Sequence, residues 1–251
     1  MSKSVQFIRF ANKMAHFDAD VEMVSMLVDS YSLWREGGNE LFPGSSDGTK
    51  YPVLSKRIVS ERNREIAIRH LANTVYSSYI KDLSEELHIY LRLVVKEAWQ
   101  SAKVDPGRLA GFQSSSTMTY REILEHLQRG SLADEVVDRI FQGLEALRSD
   151  KDLIKEIQKK LGIEVSSDAV SAAVSILDVR HKLVHADGFV STEWKNNHPT
   201  LQYKVDSQGR IEITLNYSTV INARKAITNL IECIDKEVLK KGLVVENTPC
   251  E

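Results

Sequence analysis

The sequence holds only two cysteines, Cys233 inside a helical pattern and Cys250 near the end, so neither a disulfide framework nor a zinc cluster built on thiolates can be assembled from it. Such usage implies a reducing, cytoplasmic setting. No stretch approaches the roughly 18 consecutive apolar residues that a membrane-spanning helix needs. Met1-Ser2-Lys3-Ser4-Val5-Gln6-Phe7-Ile8-Arg9 meets a charge too early to read as a signal peptide. A membrane partner is therefore not expected. Excess charge is also missing: 33 Lys+Arg against 35 Asp+Glu leave a formal charge of −2, which gives no global attraction to polyanions. Any nucleic acid would have to be held by a local patch. Glycine-rich phosphate loops, nucleophile elbows and cysteines placed for catalysis are absent, which removes the usual kinase, hydrolase and nucleotide-cofactor chemistries. No cofactor is expected, and no internal repeat or low-complexity tract is visible.

What is present is helical periodicity. The 251 residues suffice for a full hydrophobic core. Val21, Val24, Leu27, Val28, Tyr31 and Trp34 recur at steps of three and four, which predicts an amphipathic helix over 20–34 that ends at Gly37-Gly38. Residues 37–52, dense in turn formers around Pro43-Gly44, read as a loop. A long helix resumes near Leu54 or Ser60 and runs to Asp105-Pro106-Gly107. Its tyrosines, Tyr76, Tyr79 and Tyr90, share helical spacing with Leu83, Leu87 and Val94 and are expected in the core rather than stacked on bases. Arg57, Arg62, Arg64 and Arg69 alternate with Glu61 and Glu65, the pattern of a solvated face more than of an RNA track.

A second connector covers 105–117. A short helix around Tyr120–Leu127 follows, capped by Thr117 or Thr119 and stopped by Gly130. Two further helices are predicted over 131–148 and 150–161, the latter ending at Gly162. Ser166-Ser167-Asp168 offers the cap of the next helix, whose Val170, Ala173, Val174, Leu177 and Val184 are expected to face a core. After Gly188 the period changes to two. Leu201–Val205 and Ile211–Leu215 alternate around Asp206-Ser207-Gln208-Gly209-Arg210, which predicts one β-hairpin. Ser218 or Thr219 would cap a final helix ending at Gly242. The expected architecture is thus all-α with one small β-hairpin inserted before the C-terminal helix. It divides into an N-terminal helical segment and loop (1–53), a helical domain (54–242) and a flexible tail (243–251).

Within that plan, Leu177-Asp178-Val179-Arg180-His181-Lys182-Leu183-Val184-His185-Ala186-Asp187-Gly188 carries the chemistry. A histidine can take a proton from a ribose 2′-hydroxyl near neutral pH, and an arginine holds phosphate oxygens with a permanent charge. Arginine followed at similar distance by histidine also occurs at Arg9/His16, Arg64/His70 and Arg121/His126, so spacing alone decides nothing. The last pair differs in context. Polar His181 follows Arg180, where the other arginines precede Phe10, Glu65 and Glu122, and a carboxylate there would repel a phosphate. Gly188 can adopt the left-handed conformation that stops a helix, which would leave His185 in the last turn. His181 and His185 have a spacing that also occurs in metal sites, with Asp187 nearby. No carboxylate lies between them and no third histidine or cysteine is close, so no metal ligand set is expected.

The segment resembles the Arg-x-x-x-x-His signature of the HEPN superfamily, in the branch where a Leu-Val-His-x-x-Gly run closes the motif, here Leu183-Val184-His185-Ala186-Asp187-Gly188. The resemblance extends more loosely over about residues 60–240. It implies a HEPN-like helical bundle and a metal-independent endoribonuclease giving 2′,3′-cyclic phosphate ends. The catalytic residues would be Arg180 and His185, with His181 in the polar position after the arginine. It also implies RNA as substrate, a bacterial toxin–antitoxin or phage-defence setting, and an antitoxin or defence-system partner protein. Val75–Leu83 is similar to the helix beside the signature helix in that family, although relatives often carry a glutamate where this chain has Ser77. Arginine and histidine five residues apart point about 140° away from each other on an ideal helix. In the family two signature helices pack across a two-fold axis and form one composite cleft, so a homodimer is implied. Two other readings remain open: a non-catalytic HEPN-like dimeric module that binds a partner protein or a nucleotide, and a helical scaffold unrelated to the family.

Overall fold

A computed structural model describes residues 2–37, 53, 61–105, 107–108, 118–145 and 149–247. The chain is mostly helical, and eight helices and a three-stranded sheet are formed among these residues. They are α1 (Val5–Gly37), α2 (Glu61–Gln100), α3 (Tyr120–Arg129), α4 (Leu132–Glu145), α5 (Asp150–Leu161) and α6 (Ser167–His185), then β1 (Phe189–Val190), α7 (Thr192–Asn197), β2 (Gln202–Val205), β3 (Ile211–Thr214) and α8 (Tyr217–Lys240). No described helix is long and apolar enough to cross a membrane. The expected loop over 38–52, the helix start at Leu54 or Ser60, Arg57, Thr117 and Cys250 lie outside the described residues.

Short-range rules account for most boundaries. Thr119 and Glu122 form a reciprocal capping box at the start of α3, and Gly130 (φ 67°) closes it. Ser149 caps α5, and Gly162 (φ 65°) ends it. Other boundaries differ from expectation. α1 begins at Val5 rather than Asp20, because Phe7, Phe10 and Met14 continue the buried stripe of Val21 towards the N-terminus. Asn216, not Ser218 or Thr219, caps α8; its Oδ1 accepts from the Thr219 backbone N–H at 2.8 Å and the Thr219 hydroxyl at 2.9 Å. α7 was not expected, and is set by Ser191, whose hydroxyl accepts from Trp194 N–H at 3.2 Å.

Two compact units emerge: Met1–Lys13, Leu83–Val179 and Ala223–Glu251 form the first, and Met14–Asp82 and Arg180–Asn222 the second. In the first, Phe10, Leu87, Tyr90, Leu91, Val94 and Ile231 are fully buried. At its centre lies an ionisable side chain, Asp235, only 1% exposed. Its carboxylate accepts from the Ser4 backbone N–H at 3.1 Å, from the Ser4 hydroxyl, and from the Tyr90 hydroxyl at 3.3 Å. Three donors offset the cost of burying the carboxylate, and they tie the N-terminal residues to α8. The stretch expected as a tail holds buried Leu243 and Val244, and Asn247 N–H donates to the Lys3 carbonyl at 2.8 Å.

The second unit contains the sheet, ordered β1-β3-β2 and antiparallel throughout. The predicted hairpin is β2–β3, in the register Tyr203↔Ile213 and Val205↔Ile211. Asp206 organises its turn: the carboxylate accepts from Gln208 N–H, Arg210 N–H and Arg210 Nε at 2.7 to 2.9 Å. Those donors, the Arg210 backbone foremost, hold the Asp206 carboxyl below the usual range. β1 widens the expected hairpin to three strands. Two residues are too few to show alternation in the sequence, and their place is set by pairing with β3. In the core, Tyr76 and Tyr79 are buried as expected. Burial raises the Tyr76 hydroxyl pKa, against a hydrogen bond from Ser25 that lowers it.

Removing the Asp235 carboxylate leaves Ser4 and Tyr90 with buried, unpaired donors. Asp235→Ala should therefore cost about 3 kcal/mol or more in a urea titration, and Asp235→Asn, which keeps an acceptor, distinctly less. Burial beside Asp235 pushes the Tyr90 hydroxyl well above its ordinary value of 10.0. The unfolded chain then ionises first as pH rises, so this contribution is complete below about pH 10 and is lost above it. Melting temperatures should fall above that pH, and Tyr90→Phe should flatten the fall.

Candidate active site at the end of the signature helix

α6 delivers the signature intact and then stops where the sequence predicts. Its last residue is His185. The Lys182 carbonyl accepts from both Ala186 and Gly188 N–H at 3.0 Å, and Phe189 N–H donates to the Ala186 carbonyl at 2.7 Å. Closing this turn requires positive φ at two residues, Asp187 (48°) and Gly188 (79°). Glycine takes that conformation without strain and aspartate tolerates it better than most residues. The Gly188 carbonyl then accepts from Ile213 N–H at 2.9 Å, which fixes the turn to β3.

The imidazoles of His181 and His185 lie one turn apart with ring centroids 4.7 Å from each other, tilted by 47°, and both residues are exposed. Arg180 is half-buried on a different side of the helix, about 140° around from His185. Its Nε is buried and has no hydrogen-bond partner, and Arg180 forms no ion pair with a described residue. The structure therefore brings the two histidines together and leaves the arginine apart from His185 within one copy. Val184, expected in the core, is instead 38% exposed between them, while Ala169 and Val179 join Val170, Ala173 and Leu177 in the buried stripe.

Several members of the look-alike pairs are engaged elsewhere. Arg121 is bonded to Glu125 at 2.9 Å, and His126 lies 3.0 Å from the Ser131 hydroxyl and 3.8 Å from Glu135. Arg9 is 3.8 Å from Glu86. Arg69, one of the arginines in the alternating run, is exposed and bonded to Glu65 at 2.6 Å. Among the described residues no group of three or more His, Cys, Asp or Glu side chains is placed to hold a metal ion.

Sequence reasoning missed a polar hollow of about 390 Å³ beside the turn. Leu183, Asp187 and Gly188 line it together with Ser77, Lys81 and Glu212; Arg180, His181 and His185 do not. Ser77 thus shares a cavity with two carboxylates from other elements. Only the pairing of β3 with the Gly188 turn brings Glu212 there.

Gly188 tests this construction. A Cβ there would meet Leu183 and Glu212 at 3.6 and 3.8 Å, ordinary contact distances, so the penalty of Gly188→Ala lies in its backbone angle. The variant should lose about 1 kcal/mol of stability by thermal denaturation and weaken hydrogen-exchange protection at Ile213. Comparison with family models, curated proteins and solved structures returns no match.

Proposed function

We propose that the chain is a metal-independent endoribonuclease that works as a homodimer, with Arg180 and His185 as the catalytic residues and His181 beside them. The observation that carries this reading is the contrast among the arginine–histidine pairs. Arg180 has no described counter-charge and both histidines face solvent at a helix end, whereas Arg121 is bonded to Glu125, His126 lies 3.0 Å from the Ser131 hydroxyl and 3.8 Å from Glu135, and Arg9 lies 3.8 Å from Glu86. A cation without an internal partner is free to meet a phosphate.

In the proposed reaction His185 takes the proton from a ribose 2′-hydroxyl, and the 2′-oxygen attacks the adjacent phosphorus. The bond to the 5′-oxygen breaks, leaving a 2′,3′-cyclic phosphate and a 5′-hydroxyl. Arg180 stabilises the charge that builds on the non-bridging oxygens. Because Arg180 and His185 diverge on one helix, a two-fold pairing of signature turns lets the arginine of one copy work with the histidine of the other. Exposed Val184 gives such an interface an apolar centre. The resemblance implies a bacterial toxin or phage-defence role under an antitoxin or other partner protein.

The second reading, a non-catalytic dimeric module of the same type, is favoured by Ser77, whose hydroxyl occupies the hollow where relatives often carry a carboxylate. Activity separates the two. RNA cleavage should persist in excess EDTA, and Arg180→Ala and His185→Ala should each lower it by roughly 10²-fold or more without loss of helicity. His181→Ala should do less, and Arg121→Ala and His126→Ala almost nothing. Sedimentation should give about twice 28.4 kDa. Equal effects of both pairs, or wild-type protein that leaves a broad set of RNAs intact, would move the assignment to the binding module.

A further inference from the structure

In the second unit a cleft of about 790 Å³ is formed by α1, the first half of α2, β3 and the start of α8. Its walls are mainly apolar: Val28, Ile66, Ala72, Tyr76 and Leu215 supply most of them, and Ile66 leaves 51% of its surface uncovered. Size and lining match those of a small-molecule site. Polar side chains from α1, α2 and β3 interrupt the apolar walls. Thr214 lines the cleft with a buried hydroxyl that has no hydrogen-bond partner. Asn73 adds a carboxamide, and Asp29 and Glu212 add carboxylates, the latter bonded to Lys204 at 3.1 Å. Glu212 and Thr214 are two apart on β3 and so share a face of the sheet.

These groups narrow the occupant. Arg69, His70 and Lys204 also line the cleft, but Arg69 is bonded to Glu65 at 2.6 Å and Lys204 to Glu212 at 3.1 Å, so a phosphate would compete for cations already paired and would face Asp29, and an acyl chain would leave Thr214 and Asn73 unpaired. A flat heteroaromatic body fills the apolar walls, and an exocyclic amino group on its edge can donate to the Asp29 carboxylate or to the Asn73 amide oxygen. The cleft adjoins the hollow beside the turn at Gly188: both are lined by Asn73, Glu212 and Ile213. Along that hollow the Ser77 and Ser78 hydroxyls and the exposed Lys81 ammonium lead to Asp187 and Gly188.

We propose that the cleft is a nucleobase subsite for an amino-bearing base, cytosine, adenine or guanine, of the RNA whose backbone passes Lys81 to the turn at Gly188. The RNA context rests on the ribonuclease reading above; base binding does not.

The test is calorimetric titration of the full chain with the 3′-monophosphates of cytidine, adenosine, guanosine and uridine. At least one amino-bearing nucleotide should bind with a sub-millimolar Kd, and the uridine nucleotide should bind at least roughly tenfold more weakly. Thr214→Val should weaken the preferred nucleotide by roughly five- to tenfold. It should leave the melting temperature unchanged or raised, because the hydroxyl it removes has no partner in the protein. Asn73→Ala should weaken binding in the same direction, and Arg121→Ala, at an exposed arginine bonded to Glu125, should leave mononucleotide binding intact. No binding at millimolar concentration, equal binding of the uridine nucleotide, or unaltered binding by Thr214→Val and Asn73→Ala would each overturn the subsite. Cleavage without mononucleotide binding sinks the subsite alone. Binding without cleavage by wild-type protein sinks the ribonuclease reading alone.

Discussion

The turn at Asp187-Gly188 is the constraint on which the second unit depends. One carbonyl, that of Lys182, receives both Ala186 and Gly188 N–H groups, and one residue with φ 79° reverses the chain. The same glycine passes its own carbonyl to Ile213. Ending the helix and docking the sheet are therefore a single event, since the hydrogen bonds that satisfy the last turn also begin the pairing of β1 with β3. His185, Val184 and His181 are presented from a terminus that cannot fray without loosening β3. A catalytic constellation placed there gains the rigidity that transition-state charge stabilisation requires.

The elements legible in the sequence are those whose signals are local. Thr119 with Glu122, Ser149, and the glycines at 130, 162 and 188 act through hydrogen bonds spanning six residues or fewer, so composition and spacing reveal them. The hairpin was legible for the same reason, because Asp206 binds three donors within four residues. What was hidden depends on distant partners. β1 exists only as a neighbour of β3. Val184 has the right period to be buried, yet no packing partner reaches it. The missed first half of α1 is different in kind: Phe7, Phe10 and Met14 were visible, but Arg9 interrupts the apolar run and conceals the stripe.

The site divides in the same way. Arg180, His181 and His185 could be read from the motif and from Gly188. The engagement of the rival pairs could be read only partly. Glu125 lies four residues from Arg121 and announces itself, whereas Glu86 beside Arg9 is brought there by folding. No sequence pattern could have drawn Asn73, Thr214 and Glu212 together, because they meet only when β3 is laid against α2. The groove is the tertiary part of the site, and the motif is its local part.

Charge connects the two parts. With a formal charge of −2 the chain offers a polyanion no long-range field, so on the proposed ribonuclease reading RNA would be held by a few cations and by contacts at short range. Arg180 and Lys81 are such cations, and a two-fold arrangement doubles them without changing the sign of the whole. Base contacts in the cleft would then supply affinity that phosphate contacts cannot. A chain without net positive charge gains most from a pocket that recognises the uncharged face of its substrate, and the unpaired hydroxyl of Thr214 is kept at little cost if a base completes it. On the proposed reading, selectivity for an accessible base and the geometry of the turn would be linked through one strand, β3, which carries Thr214 and Glu212 and is held at Ile213 by Gly188.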